Sequence, residues 1–140
     1  MNEANPPRGI GRSIGALFAG FLVGAGLSLG TDEILHLAAV YPPWGQVMSD
    51  PLFGLATAYR VLYSVAASYV TARLAPNRPM GHALTGGAIG FALSILGAVA
   101  TWNRGLGPHW YPVAVAAMAM PCAWIGGKLR LMQLPARPAI

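Results

Sequence analysis

A chain of 140 residues with 55% hydrophobic and 9% charged residues, and a mean hydropathy of +0.52, lies far from the roughly 25% charge of a soluble domain. Its net charge of +5 is scattered over the ends of apolar segments, not gathered with aromatics on one face or arm, which argues against a nucleic-acid surface. The single Cys122 leaves no intrachain disulfide and no cysteine-based zinc site.

The fold class expected is an all-α integral membrane protein. Four antiparallel transmembrane helices form one compact bundle with both termini inside, and residues 1–140 make a single membrane domain. The first apolar run is read as one span over residues 13–41, because Pro42 and Pro43 lack the backbone N–H that would continue it. A rival reading takes residues 8–30 as a secretory signal, with Ser28 and Gly30 as the small residues before a cut. Within this run Ser13, Ala16, Gly20, Gly24, Ser28 and Thr31 recur at spacings of three and four, a stripe that lets another backbone approach closely.

The second span covers residues 51–74, with Ser49 or Asp50 as its cap and Pro51 in its first turn; "APNRP" then stops it. Thr57, Arg60, Ser64, Ser68 and Thr71 share one face of that helix, flanked by Tyr59 and Tyr63. A guanidinium inside a span costs about 2.5 to 3.5 kcal/mol on insertion scales, so Arg60 needs a partner. Asp32 lies nine residues before Tyr41, and Arg60 nine residues after Pro51. At 1.5 Å per residue both sit about 13 Å below the outer turn, where Asp32 and Glu33 would compensate Arg60 and His36 would lie one turn further out. Counting from the basic inner ends separates the two levels by about 10 Å, so either the first helix tilts or projects to bring them together, or Asp32 and Glu33 are interfacial and Arg60 snorkels outward.

The third span covers residues 81–102 and carries Gly86, Gly90, Ser94, Gly97 and Thr101 as a second small-residue stripe. The fourth covers residues 110–129, with Pro112 in its first turn and a kink expected at Pro121. Arg8, Arg12, Arg73, Arg78, Lys128, Arg130 and Arg137 fall on one side of this arrangement and only Arg104 on the other. Positive loops stay in the cytoplasm, so both termini are assigned there, in the inner membrane of a bacterium. Trp44, Trp102, Trp110, Tyr41 and Tyr111 then form an interfacial belt at the outward ends.

Three functional expectations follow from these residues. The first is an accessory or structural subunit that works in the lipid bilayer with other membrane subunits or as a homo-oligomer, its acid–arginine cluster fixing helix register. The second is a small proton- or ion-coupled transporter, in which Asp32 or Glu33 exchanges a proton and the hydroxyl face lines a path. The third is a haem- or metal-binding redox subunit using Glu33, His36 and His109. No cofactor is expected, nor an enzyme, since no nucleophile elbow, phosphate loop or H-E-x-x-H is present.

Overall fold

The structure, a computed structural model, describes residues 8–136. Four helices follow one another: α1 (Arg8–Leu37), α2 (Asp50–Leu74), α3 (Pro79–Thr101) and α4 (Trp110–Met132). Their 30, 25, 23 and 23 residues give lengths of about 45, 37, 34 and 34 Å. Three of them, over Gly9–Leu37, Pro79–Thr101 and Trp110–Met132, are long and apolar enough to cross a membrane.

The fourth, α2, falls short of that hydropathy because Arg60 and its hydroxyl face dilute the apolar residues. Its packing compensates. Helix α2 lies against α1, α3 and α4, whereas α1 touches α3 only sparsely and α4 not at all. The least apolar helix is thus the one most enclosed by protein.

What is buried also separates this chain from a soluble fold. Apart from Tyr41, Phe53 and Tyr59 near one end, the buried side chains are small, such as Ala16, Ala56, Ala72, Ala83, Ala116, Cys122 and Ala123, while Phe18, Phe21, Leu29, Leu62, Leu96, Val99 and Trp124 are exposed. Large apolar residues pointing outward over a core of alanine and glycine is the arrangement expected when the surrounding solvent is as apolar as leucine. The closest approaches occur at glycines. A Cβ at Gly126 would lie 2.6 Å from the Val65 carbonyl and 2.7 Å from the Tyr69 nitrogen, so α4 meets the backbone of α2 there. At Gly20 a Cβ would collide with Thr71 Oγ1 and lie 2.7 Å from the Ala67 carbonyl, which sets α1 against α2.

The first helix differs from the sequence expectation at both ends. It begins at Arg8, five residues before Ser13, and ends at Leu37 instead of continuing to Tyr41. The stop precedes the prolines because Ala39 turns left-handed, with φ 55°. Its N–H bonds the His36 carbonyl at 3.1 Å and the Val40 N–H bonds the Leu35 carbonyl at 3.0 Å, the two hydrogen bonds of a Schellman ending. Glycine usually fills that position. The reversal carries Tyr41 back into the protein, where it is 3% exposed, so Tyr41 does not belong to a surface belt. Trp44, Trp102 and Trp110 remain exposed.

At the start of α2, Ser49 occupies the cap position with extended backbone, but its hydroxyl makes no capping bond; its carbonyl accepts from Leu52 and Phe53 instead. Helix α4 runs through Pro121 without interruption.

Candidate functional site

The site lies where the ends of α1 and α2 meet under the 38–49 connection. Asp32 is in the second-last turn of α1, and Arg60 is ten residues into α2. Arg60 Nη2 donates to Asp32 Oδ2 in an ion pair, and the Tyr59 hydroxyl donates to Asp32 Oδ1. Tyr41, folded back by the left-handed turn, then donates to the Tyr59 oxygen at 2.9 Å. Both carboxylate oxygens of Asp32 are therefore occupied by charge-assisted donors, which are the stronger hydrogen bonds in a protein. Asp32 retains 14% of its side-chain exposure and Arg60 31%. Burial raises the pKa of the Tyr41 hydroxyl, so it remains a neutral link in this chain.

The guanidinium is only partly satisfied. Its carbon stands 5.9 Å from the centres of the Tyr59 and Tyr111 rings, at the outer limit of a cation–π contact. Its Nε is buried and has no hydrogen-bond partner among the described residues.

Two cavities meet at Arg60. The one under the 38–49 connection, called outer for its place beside that turn, has about 280 Å³ and is lined by Asp32, His36, Tyr41, Trp44, Arg60 and Tyr111 with apolar residues between them. The other is a groove of about 690 Å³ between α1 and α3, floored by α2, onto which Arg60, Ser64, Ser68 and Thr71 open. Arg60 borders both, whereas Asp32 borders only the outer cavity.

Not every residue singled out in the sequence reaches this place. Glu33 is exposed and forms no ion pair among the described residues. One position from Asp32 along a helix is a turn of about 100°, so the two acids cannot both face α2. Thr57 bonds the Phe53 carbonyl of its own helix at 2.9 Å and leaves the groove to the other hydroxyls. Tyr63 bonds Thr31 on α1 at 2.8 Å, one turn below the ion pair.

His36 borders the outer cavity. Its Nδ1–H donates to the Asp32 carbonyl at 2.8 Å, and its ring lies parallel to Trp44 with centroids 3.8 Å apart. His109 is held in the same manner elsewhere, donating Nε2–H to the Trp102 carbonyl at 2.8 Å and stacking on Trp102 at 4.1 Å. Among the described residues no three His, Cys, Asp or Glu side chains form a group able to hold a metal ion, so Glu33, His36 and His109 do not make one.

Tyr41 and Tyr111 are the site residues that periodicity along α2 misses, because a loop reversal and the start of α4 bring them in; Phe53 lies on the Thr57–Arg60 face of α2 and joins them by its ring. Phe53 packs on Tyr111 with centroids 5.0 Å apart, and a Cβ at Gly107 would run into the Phe53 ring. The one legible signal is the glycine itself, which lets the 102–109 connection lie on that ring. No family model, characterised protein or solved structure matches the chain.

Proposed function

We propose that the chain is a four-span membrane protein with both termini in the cytoplasm, acting as a small proton- or ion-coupled carrier whose gate is the Asp32–Arg60 contact. The observation that carries this reading is the position of Arg60, which borders the outer cavity on one side and the hydroxyl-floored groove on the other. Protonation of Asp32 would remove one of the two charges that hold the contact and free the guanidinium, joining the two spaces. The Tyr41–Tyr59 pair supplies a hydrogen-bonded route from the outer turn to the carboxylate. The orientation is supported by the distribution of basic residues and by their grouping: Arg73 bonds Tyr69 at 3.0 Å, and Tyr69 bonds Gln133 beyond α4, so the basic ends of α2 and α4 lie together.

Proteoliposomes loaded with a pH-sensitive dye test it. Under an imposed membrane potential, vesicles with the wild-type chain should admit protons faster than empty vesicles, and Asp32→Asn should abolish the difference. Wild-type vesicles no more permeable than empty ones would overturn the proton-coupled carrier.

The second reading, an accessory subunit completed by a partner or a second copy, is favoured by Gly90, where a Cβ would meet nothing within 4 Å although the residue borders the groove. Isolation as a monomer without partners counts against it.

A further inference from the structure

The groove has a composition that a packed helix interface does not need. Among the described residues its only charged lining group is Arg60, since Asp32 borders the other cavity. Below Arg60, Ser64, Ser68 and Thr71 continue a polar floor over eleven residues, about 16 Å of helix. Helical hydroxyls commonly bond the carbonyl four residues back, as Thr57, Thr85 and Thr101 do here at 2.8 to 2.9 Å. Ser64, Ser68 and Thr71 make no such bond among the described residues; Thr71 is buried under Gly20, so Ser64 and Ser68 are the hydroxyls an occupant meets. The rims are the opposite in character: Phe18, Phe21 and Leu29 on α1, and Ile89 and Leu93 on α3, border the groove and remain exposed.

One end is closed. His82 donates Nδ1–H to the Arg78 carbonyl at 3.2 Å, which leaves Nε2 to accept from the Ser13 hydroxyl at 2.8 Å, tying α3 to α1. Elsewhere these two helices hardly touch, and the groove opens sideways between them.

We infer that this groove binds an anionic phospholipid of the surrounding membrane, with the phosphate at Arg60 and the acyl chains along the apolar rims. The charge fits: Arg60 keeps 31% of its side-chain exposure and borders the groove, while Asp32 borders only the other cavity, so the guanidinium offers the groove a positive charge that matches a phosphate. The shape fits as well, because hydroxyl donors run along the floor while the side that faces lipid is bordered by phenylalanine, leucine and isoleucine. This inference does not depend on the carrier reading, since it concerns occupancy at equilibrium and not flux.

The test uses the full chain released from detergent in native mass spectrometry after incubation with palmitoyl-oleoyl phosphatidylglycerol or the phosphatidylcholine of the same chains. The phosphatidylglycerol adduct should be retained about tenfold more, equivalent to about 1.4 kcal/mol. Arg60→Gln should erase that preference. Because Arg60→Gln also disturbs the ion pair, Gly90→Leu carries the decision: a side chain there enters open space, so it should fold normally while filling the groove and displacing either lipid. Equal retention of the two lipids by the wild type would overturn the inference. So would an adduct unchanged in a folded Gly90→Leu variant, which would place the lipid at the basic helix ends instead, or a dimer whose second copy covers the groove.

Discussion

Replacing Asp32 with asparagine removes the charge opposite Arg60 while keeping the shape and an acceptor for Tyr59. Breaking a buried pair by removing one partner costs about 3 to 5 kcal/mol, because the remaining charge is stranded. Arg60 keeps 31% of its side-chain exposure, so the lower end applies, about 3 kcal/mol. For a chain of 140 residues each kcal/mol moves the midpoint by about 4 °C, so Asp32→Asn should melt about 12 °C below wild type in detergent. Arg60→Leu, which strands the carboxylate, should lose a comparable amount. The double variant Asp32→Asn/Arg60→Leu removes both charges together and should recover most of the loss, within about 1 kcal/mol of wild type. The assay is thermal unfolding of the four purified chains, followed by near-ultraviolet circular dichroism and assembled as a double-mutant cycle. A double variant as unstable as the sum of the singles, or single variants that melt with wild type, would refute the reasoning.

Other positions give equally direct outcomes. Ala39→Gly relieves a left-handed residue and should stabilise the fold by about 1 kcal/mol, read as a raised unfolding midpoint. Gly126→Ala pushes a methyl into the backbone of α2 and should cost about 1 to 3 kcal/mol, whereas Gly97→Ala meets nothing and should melt at or above wild type. The Tyr41 hydroxyl has its pKa raised above 10.0 in the folded chain by burial. Its contribution is therefore present in full below pH 10 and is lost as pH rises through the raised value; absorbance at 295 nm should show late-titrating tyrosine in the folded chain, and Tyr41→Phe should reduce that late amplitude. Trp44→Ala removes the ring stacked on His36 and should move the His36 ring resonances while leaving the melting point within about 1 kcal/mol of wild type, since Trp44 is 69% exposed.

How far the sequence discloses this arrangement depends on the range of each signal. The start of α2 at Asp50 sits beside Pro51, which suits a first turn, and such local punctuation is readable without the fold. Pro79 carries the same signal for α3, but taken with "APNRP" as the stop of α2 it puts the third span at 81, two residues late. The end of α1 is not, because Ala39 takes a conformation that glycine or asparagine would have announced. The count that sets Asp32 level with Arg60 runs the first helix on to Tyr41, whereas α1 ends at Leu37; the two side chains nevertheless touch. The same count sets Glu33 there too, and only the direction of each side chain around α1 separates the neighbours. Likewise the spacing that gathers Arg60, Ser64, Ser68 and Thr71 also includes Thr57, whose hydroxyl turns back to Phe53. Tyr41 and Tyr111 enter the site through contacts between distant segments, which no spacing along one helix encodes. The open space beside Gly90 is invisible for a related reason: a G-x-x-x-G step reads as close packing, and only the neighbours show that Gly86 meets Leu17 while Gly90 meets nothing.

The gate is tested most directly by thiol accessibility. Met48→Cys places a thiol in the outer cavity and Ser64→Cys one on the groove floor, with native Cys122 buried and serving as the background. With a charged, membrane-impermeant thiol reagent added outside proteoliposomes, Met48→Cys should react and Ser64→Cys should be protected; adding Asp32→Asn should bring Ser64→Cys to the rate of the outer site. A groove thiol that reacts as fast as the outer one while Asp32 is intact, or that stays protected once Asp32 is replaced, would contradict an Asp32–Arg60 gate between the two cavities.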